Sequence, residues 1–400
     1  MNNETRKETQ VLPKDVRYVG ADDLTLPLFE NQYPVQPMGV SYNSYLILDE
    51  KIAVMDSVDA CAADEWLAKL AHELDGRRPD YLVISHMEPD HSGSVLRLTE
   101  QYPAMRLVGN AKTFTMLRQF FGADAPSNDR LLEVGEGETL PLGAHTLHFM
   151  LAPMVHWPEV MVAYEETEKL LFSADAFGRF GALSRTAAAP WAPQARRYYY
   201  NIVGKYGAQV QALLKKASAL EIKTVCPLHG PVLTGEALGE ALRLYDLWSR
   251  WQSESPDDIL LAHASIHGNT ARAAELFKQK LEAKGARVTL CDLTTTEVSY
   301  AVANAFYCGK LVLACSTYDG GLFPPMEEFL SHLQAKGFRS RTVGLIENGS
   351  WAPAAARLMR AKLEEMKDLR VCGTVVSLRS ALSPASEAQM EALTTELCAE

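Results

Sequence analysis

The fold of this chain is decided by the stretch Tyr81-Leu82-Val83-Ile84-Ser85-His86-Met87-Glu88-Pro89-Asp90-His91, an apolar run followed at once by metal-binding side chains. The apolar residues are typical of a buried strand, and the polar residues then fall in the loop that leads to a helix. His86, Glu88 and Asp90 share the spacing i, i+2, i+4, which directs the side chains of an extended segment to one side. Because such loops often carry function, the stretch predicts an active site with metal-ligand chemistry.

The same ligand types recur near the ends of three further apolar runs, at His156, Asp175 and His229. Imidazole suits iron, zinc, copper and nickel, whereas carboxylates favour harder ions such as iron or manganese. A mixed set of seven exceeds what one tetrahedral ion needs, so we expect a dinuclear centre. Asp175 stands alone at its strand end and is the candidate bridge. The candidate ligands are His86, Glu88, Asp90, His91, His156, Asp175 and His229.

Length and composition are those of a globular protein with two domains, or with one large domain and a smaller one. The chain has 400 residues, which is too many for one ordinary core. Hydrophobic residues make up 47% of it. No apolar run approaches the roughly 20 residues that cross a bilayer, so no membrane segment is expected. The polar stretch 252–258 is the expected boundary, with a metal domain at 1–252 and a second domain at 257–400.

Charge and cysteine usage restrict partners and location. The formal net charge of −11 disfavours nucleic acid, whose phosphates such a surface would repel. The seven cysteines are scattered without a Cys-x-x-Cys pair, which indicates free thiols in a reducing cytoplasm and no fused rubredoxin or zinc ribbon. The stretch 1–8 lacks the apolar core of a signal peptide, so we expect a cytoplasmic protein.

The first domain has the order of strands and helices expected of an αββα sandwich. Strand-like runs at 40–48 and 52–56 flank a turn, and 66–74 has helical spacing. The strand that ends at the metal-binding loop follows. The ligands therefore fall at strand ends along one edge of the predicted sandwich.

The second domain alternates apolar strands with amphipathic helices, which indicates a parallel, doubly wound sheet. Five strands in about 145 residues suit the flavodoxin-like order, in which a ligand binds beyond the carboxyl ends of the first and third strands. The predicted strands are 259–264, 287–292, 310–315, 341–346 and 371–377, and the last helix is 384–398.

Three strand-end loops of this domain carry hydroxyls, glycines and aromatic rings. The loop 265–270 offers hydroxyl and backbone N–H groups at a helix N-terminus, which suit a terminal phosphate, although Ser and Thr also cap helices routinely. No Gly-x-Gly-x-x-Gly for a pyrophosphate follows any strand. The candidate binding residues are Ser265, His267, Gly268, Asn269, Thr270, Ser316, Thr317, Tyr318, Asp319, Gly320, Gly321, Asn348, Gly349, Ser350 and Trp351.

These motifs together resemble those of the flavodiiron proteins. The first domain is similar to their metallo-β-lactamase-like domain through His-x-Glu-x-Asp-His at 86–91, His-Trp-Pro at 156–158, Ser-Ala-Asp-Ala-Phe-Gly at 173–178 and Pro-Leu-His-Gly at 227–230. Zinc hydrolases of this superfold usually carry His-x-His-x-Asp-His, and Glu88 in place of the second His favours a di-iron site.

The second domain resembles flavodoxin at its phosphate loop, Ser/Thr-x-x-Gly-x-Thr. It has His267 where Tyr or Trp is common. The last loop has Asn-Gly-Ser-Trp-Ala-Pro at 348–353 where many members have Gly-Ser-Tyr-Gly-Trp. The resemblance implies FMN as the flavin.

The resemblance implies an oxidoreductase in which FMN feeds two non-haem iron ions that reduce dioxygen to water, nitric oxide to nitrous oxide, or both. It also implies a head-to-tail homodimer, or a dimer of dimers, and an electron donor such as a rubredoxin or a flavin reductase. The residue at the position of His91 ligates iron in some members of the family and does not in others. The run 196–201 resembles a segment near the metals, and Tyr199 is the candidate proton or hydrogen-bond donor, although packed core aromatics are the alternative.

Two other functions compete with this one. A zinc-dependent hydrolase of the metallo-β-lactamase fold, with an appended flavodoxin-like electron-transfer domain, would use the same superfold without redox-active metal. A pure electron carrier would use the first domain as a metal-free scaffold. Glu88 disfavours the hydrolase, and the complete ligand set disfavours the carrier.

Overall fold

We describe residues 11–398 of the protein from a computed structural model. The stretch 1–8, on which the absence of a signal peptide was argued, lies outside the described residues. The chain divides between Asp246 and Leu247 into two compact units. This division precedes the boundary expected at 252–257 because Trp251 packs with the second unit. Its carbonyl accepts a hydrogen bond from Arg341 at 2.8 Å, and the Arg339 guanidinium lies 3.9 Å from its ring centroid.

The first unit contains two six-stranded sheets. In the first sheet, the first three strands of the spatial order pair antiparallel and the last four pair parallel. Its spatial order is Val16–Tyr18, Tyr45–Ile47, Ala53–Met55, Tyr81–Val83, Arg106–Gly109 and Leu131–Glu133. The second sheet is antiparallel except for one parallel pair, Leu170–Phe172 with Thr224–Cys226. Its order is Thr139–Pro141, Thr146–Leu151, Met161–Glu165, Leu170–Phe172, Thr224–Cys226 and Leu233–Thr234.

The two sheets face each other across one apolar core. Ile47 and Val83 of the first sheet share a buried cluster with Phe149 and Met161 of the second. Alternate residues of the first sheet, such as Leu82, point the opposite way and are also buried. A sheet that is apolar on both faces must be packed against other elements on both, and helices pack on its outer face. This confirms the predicted αββα sandwich. The helices are Ala63–Leu74, Pro89–Ser92, Val95–Gln101, Ala111–Phe121, Leu183–Thr186, Trp191–Tyr198, Gly207–Ala217 and Gly235–Ser249, with a π-helical turn at Tyr199–Val203.

The run 40–48 forms two strands, not the single one predicted. Val40–Tyr42 pairs with Ala21–Asp23, whereas Tyr45–Ile47 belongs to the first sheet. Asn43 lies at the break, and its Nδ2 donates to the carbonyls of Pro227 and Gly230 at 2.8 Å each. The break therefore fixes the loop that carries His229.

The second unit is a five-stranded parallel sheet in the flavodoxin-like order 2-1-3-4-5, as predicted. Its buried core includes Leu261, Val312 and Ile346 from the three central strands. Its strands in chain order are Ser255–Ala264, Val288–Asp292, Cys308–Tyr318, Thr342–Asn348 and Arg370–Leu378, and the short strand Gly321–Leu322 pairs with the third. Its helices are Asn269–Glu282, Val298–Tyr307, Pro324–Ala335, Ala355–Glu364 and Pro384–Cys398.

Within residues 11–398, no helix combines the length and apolar character needed to cross a membrane. All seven cysteines are free thiols, and five of them are buried.

Candidate active site

The metal-binding loop is held by hydrogen bonds to neighbouring strand ends. The Asp56 carboxylate accepts the backbone N–H of Ser85 at 2.6 Å, and burial raises the pKa of Asp56 to about 6 despite this bond. The Ser57 hydroxyl donates to the His91 carbonyl at 2.6 Å. Pro89 begins the short helix that carries Asp90 and His91, where its missing N–H costs nothing. The loop therefore directs its ligands to a defined place.

Four of the candidate ligands form a first cluster, which consists of His86, Glu88, His156 and Asp175. Nε2 of His156 lies 3.0 Å from an oxygen of Glu88 and 3.0 Å from Oδ2 of Asp175. Nε2 of His86 lies 3.2 Å from the same Glu88 oxygen and 3.4 Å from Oδ2 of Asp175. Two imidazole nitrogens and two carboxylate oxygens thus converge on one point.

The other three candidates form a second cluster, which consists of Asp90, His91 and His229. Nε2 of His229 lies 3.2 Å from Oδ2 of Asp90 and 3.1 Å from Nε2 of His91. Oδ1 of Asp175 lies 3.2 Å from Nε2 of His91 and 3.6 Å from Nε2 of His229. All seven sequence candidates are therefore brought together, and the two oxygens of Asp175 face different clusters, as a bridging ligand requires.

The shifted pKa values of the candidate ligands indicate a site that binds cations. Burial lowers the pKa of His156, but Asp175 and Glu88 outweigh it and raise this pKa to about 9. The pKa of His86 is raised well above its ordinary value against the effect of burial, chiefly by Glu159 and Glu88. Burial raises the pKa of Asp175, yet the facing histidines hold it well below the ordinary range. Without metal, protons on the imidazoles neutralise the carboxylates, and divalent cations would take their place.

Two residues behind the ligands were missed by sequence reasoning. Glu159 is buried, and its Oε1 lies 2.7 Å from Nδ1 of His86. The carbonyl of Ser41 accepts a hydrogen bond from Nδ1 of His229 at 2.7 Å. The only sequence signal for Glu159 is its place three residues after His156, and a backbone carbonyl such as that of Ser41 gives no signal at all.

The structure places Tyr198, and not the predicted Tyr199, beside the ligands. The Tyr198 ring centroid lies 5.5 Å from that of His229, and its buried hydroxyl has no hydrogen-bond partner among the described residues. Burial, followed by the charges of Asp175, Asp90 and Glu88, raises the pKa of Tyr198. The ring of Tyr199 instead contacts Tyr200 and Tyr245, at 5.2 and 5.0 Å between centroids. On a helix, adjacent residues point about 100° apart, so a run of three tyrosines does not reveal which one faces the site.

Aromatic rings enclose both clusters. Phe29 packs edge-on against His229 with centroids 5.3 Å apart, and Tyr42 lies 6.2 Å from the same ring. Trp157 packs edge-on against His86 at 5.2 Å. Such an apolar lining limits the access of water and strengthens electrostatic interactions inside.

A cavity of about 530 Å³ lies at the carboxyl ends of the strands of the second unit. Thirteen of the fifteen candidate binding residues line it, and Gly268 and Gly321 are the two that do not. Three further residues line the cavity and were not predicted from the sequence, namely Ile266, Ala352 and Ser380. Gly268 has φ of +86°, which suits glycine, and its N–H donates to Ser265 Oγ at 3.1 Å.

Polar contacts connect the three predicted loops of this cavity. Nδ2 of Asn348 donates to Thr270 Oγ1 at 3.2 Å and to the Ser380 carbonyl at 3.1 Å. The hydroxyls of Thr270 and Ser316 are 2.8 Å apart. Tyr318 is 44% and Trp351 88% exposed, so two large rings at the cavity mouth are available to a ligand. Shape, hydroxyls and rings fit a phosphorylated flat ring system.

Comparison with known proteins supports a metal-binding first unit and a flavin-binding second unit. A family profile described as "ODP family beta lactamase" matches residues 40–230. The chain is 27% identical to the nitric oxide reductase of Moorella thermoacetica, over 88% of each chain. It is 27% identical to the rubredoxin-oxygen oxidoreductase of Megalodesulfovibrio gigas, over 87% of each chain. It is 30% identical to diflavin flavoprotein A 1 of Synechocystis, where the match covers 72% of this chain but only 50% of that protein.

A solved structure matches both units at once. The flavodiiron protein from Giardia intestinalis superposes with a TM-score of 0.87 and 25% identity, over 96% of this chain and 94% of that one. The match thus includes the flavodoxin-like sheet, which lies outside the residues that the family profile covers. From the profile and from the relatives aligned along nearly their whole length, we conclude that this chain belongs to the flavodiiron protein family.

Proposed function

We propose that the protein is a flavodiiron oxidoreductase that reduces dioxygen to water, nitric oxide to nitrous oxide, or both, at a non-haem di-iron centre fed by FMN. The observation that carries the proposal is the carboxylate of Asp175, whose two oxygens reach two separate ligand clusters. The first of these clusters contains Glu88 where a zinc hydrolase would usually have histidine.

The donor set fits two iron ions. The oxygens of Asp90 and Asp175 are buried and have no hydrogen-bond partner in the described part of the chain, so a cation would satisfy them. Three carboxylates and four imidazoles are ligands that hold both ferrous and ferric iron. His86, Glu88 and His156 would hold one ion, Asp90, His91 and His229 the other, and Asp175 both.

The cavity of the second unit fits FMN. The loop 265–270 would hold the single phosphate at the N-terminus of the helix Asn269–Glu282. The rings of Tyr318 and Trp351 would lie against the isoalloxazine, and Asn348 keeps the loops in register.

When bound, FMN stores two electrons and the ferrous pair stores two more. Dioxygen can take four electrons and four protons to give two waters. Two nitric oxide molecules can take two electrons and two protons to give nitrous oxide and water. The Tyr198 hydroxyl keeps its proton because its pKa is raised, which suits a hydrogen-bond donor to bound gas. Phe29 and Trp157 keep water away from the ligand histidines.

We also propose partners and an assembly for this protein. The name rubredoxin-oxygen oxidoreductase of one relative supports a rubredoxin as the electron donor, and a separate flavin reductase is the alternative donor. We also propose a head-to-tail homodimer or a dimer of dimers, in which the flavin of one subunit serves the irons of another, because the two sites belong to separate units. The free cysteines support a cytoplasmic location.

A visible spectrum together with metal analysis of the purified protein tests the proposal. We expect flavin absorbance and two irons per chain. Zinc without flavin would favour the hydrolase, and flavin without metal would favour the electron carrier. Heat-released cofactor should co-migrate with FMN, and recovery of FAD would contradict the assignment of a single-phosphate loop.

A further inference from the structure

Glu159 is a buried carboxylate directly behind a candidate iron ligand. Its Oε1 lies 2.7 Å from Nδ1 of His86 and accepts the backbone N–H of Met87 at 2.9 Å. Its side chain is fully buried, and its Oε2 has no partner among the described residues. Burying a carboxylate is costly unless it serves a charged neighbour, so the position calls for a physical explanation.

The backbone holds Glu159 in this position. Its own carbonyl accepts a hydrogen bond from Nδ2 of Asn110, which caps the helix Ala111–Phe121. Because Oε1 receives both Nδ1–H of His86 and the N–H of Met87, the imidazole is fixed in ring orientation and in tautomer. Its Nε2 lone pair then points at the first cluster, 3.2 Å from Glu88.

Among residues 11–398, no carboxylate is hydrogen-bonded to Nδ1 of either histidine in the second cluster. Nδ1 of His229 donates to the neutral carbonyl of Ser41. Nδ1 of His91 is buried and has no hydrogen-bond partner in residues 11–398. A carboxylate makes the imidazole that it binds a stronger electron donor than a carbonyl does. A ligand ring of the first cluster is therefore hydrogen-bonded to a buried carboxylate, whereas the rings of His91 and His229 are not.

We propose that Glu159 is a positioning residue that strengthens iron binding by His86 and makes the first iron the more easily oxidised of the pair. This inference rests on the proposed di-iron function. The unequal clusters would give the centre an order of oxidation, in which the ion held by Glu88 and His86 loses its electron first.

The test compares Glu159→Gln with wild type in the full-length, iron-loaded, FMN-containing protein. Gln keeps the size and the hydrogen-bond acceptor but removes the charge. In a chelator titration followed by metal analysis, we expect one iron per chain to be lost at about 10- to 100-fold lower chelator concentration. A redox titration followed by electron paramagnetic resonance measures the two one-electron midpoint potentials of the iron pair. The separation between these potentials should shrink by ~59 mV, which corresponds to about tenfold in equilibrium constant.

The chain offers a matched control in Glu165→Gln. Glu165 is another buried carboxylate, lies 3.1 Å from Nδ1 of His145 and accepts the N–H of Thr167, outside both clusters. This variant should keep wild-type iron retention and midpoints. Glu159→Asp, which keeps the charge, should restore most of the midpoint separation.

Unchanged chelator sensitivity and midpoints in Glu159→Gln would overturn the inference. So would equal effects in the Glu165→Gln control, because they would indicate a general packing defect. Failure of the proposed function is a separate result, since wild type would then contain zinc or no iron. If wild type contains zinc, the same chelator titration tests the positioning role of Glu159 on that metal.

Discussion

Nε2 of His91 lies 3.1 Å from Nε2 of His229, so two buried imidazole nitrogens face each other directly. Nδ1 of His229 donates its proton to Ser41, which leaves Nε2 of the neutral ring as an acceptor. Burial lowers the pKa of His91, but Asp90 and Asp175 outweigh it and raise this pKa, so in the metal-free protein a proton on His91 can lie between the two rings. A cation would take the place of that proton. We therefore expect His91 to be an iron ligand in this chain.

The His91→Ala variant should lose iron from the second cluster only. We expect iron content to fall from two towards one per chain, with FMN retained, because the first cluster keeps all four of its ligands. Metal analysis measures this, and His145→Ala, which removes a buried histidine outside both clusters, is the control. Full retention of two irons in the His91 variant would exclude His91 as a ligand.

Exchanging single tyrosines for phenylalanine separates Tyr198 from Tyr199. Tyr198→Phe should reduce turnover by roughly 10²-fold, because a donor to bound substrate is lost. Its stability should change little, since the removed hydroxyl has no hydrogen-bond partner in the described part of the chain. Tyr199→Phe is the control and should keep most of the turnover. The reverse pattern in steady-state assays would restore the sequence-based choice of Tyr199.

Metal binding should release protons near neutral pH. The raised pKa of His86, His91 and His156 keeps these rings protonated in the metal-free protein, and ligation requires the neutral form. Iron affinity should therefore rise with pH. Anaerobic calorimetry in buffers of different ionisation enthalpy measures the release, and heats that do not depend on the buffer would contradict it.

The same shift predicts how the metal-free protein responds to pH. The folded pKa of His156 is about 9, above the ordinary 6.5, so its stabilisation is fully present below pH 6.5 and is lost as pH rises through about 9. Thermal unfolding between pH 6 and 9 should show a falling Tm, with a smaller fall in His156→Asn. An equal fall in both proteins would assign the effect to other groups.

The Asn348→Ala variant should weaken flavin binding without unfolding the second unit. Asn348 makes three hydrogen bonds to the loops of Thr270 and Ser380. Their loss should loosen the cavity and lower FMN affinity by about tenfold. Fluorescence titration of the flavin-free protein measures this. The control is Thr374→Ala, which removes a contact to Glu396 away from the cavity. Equal affinity in Asn348→Ala and wild type would exclude this role.

Subunit mixing tests electron transfer between chains. Asp175→Ala removes the proposed bridge, and Gly268→Trp strains a residue with φ of +86° in the phosphate loop. Each should be inactive alone. Random exchange makes half the dimers mixed, and each has one working site of two, so activity should return towards roughly a quarter of wild type. No recovery despite demonstrated exchange would show that transfer stays within one chain.

The sequence predicted the sheets and the convergence of the candidate ligands because both follow from local patterns. Apolar runs ending in histidine or carboxylate identify strand ends, and parallel strand ends meet at one edge of a sheet. The five strands of the second unit were placed correctly for this reason, although Ser255–Ala264 starts earlier than expected because its first residues are polar.

What the sequence did not reveal depends on orientation and on long-range contacts. Glu159 reaches His86 across the sandwich from a different loop, and no spacing indicates that pair. Whether Tyr198 or Tyr199 faces the site depends on how the helix Trp191–Tyr198 and the π-helical turn after it are oriented about their axis. The break at Asn43 arises from contacts to Pro227 and Gly230, far away in the chain.

The most direct test of the di-iron oxidoreductase is anaerobic single turnover. The protein is reduced chemically and mixed with dioxygen or nitric oxide, while flavin reoxidation and products are followed. We predict fast reoxidation that gives water without peroxide from dioxygen, or nitrous oxide from nitric oxide, and loss of both in Asp175→Ala. Slow reoxidation with stoichiometric hydrogen peroxide, equal in wild type and Asp175→Ala and without nitrous oxide, would be the chemistry of flavin alone and would contradict the account.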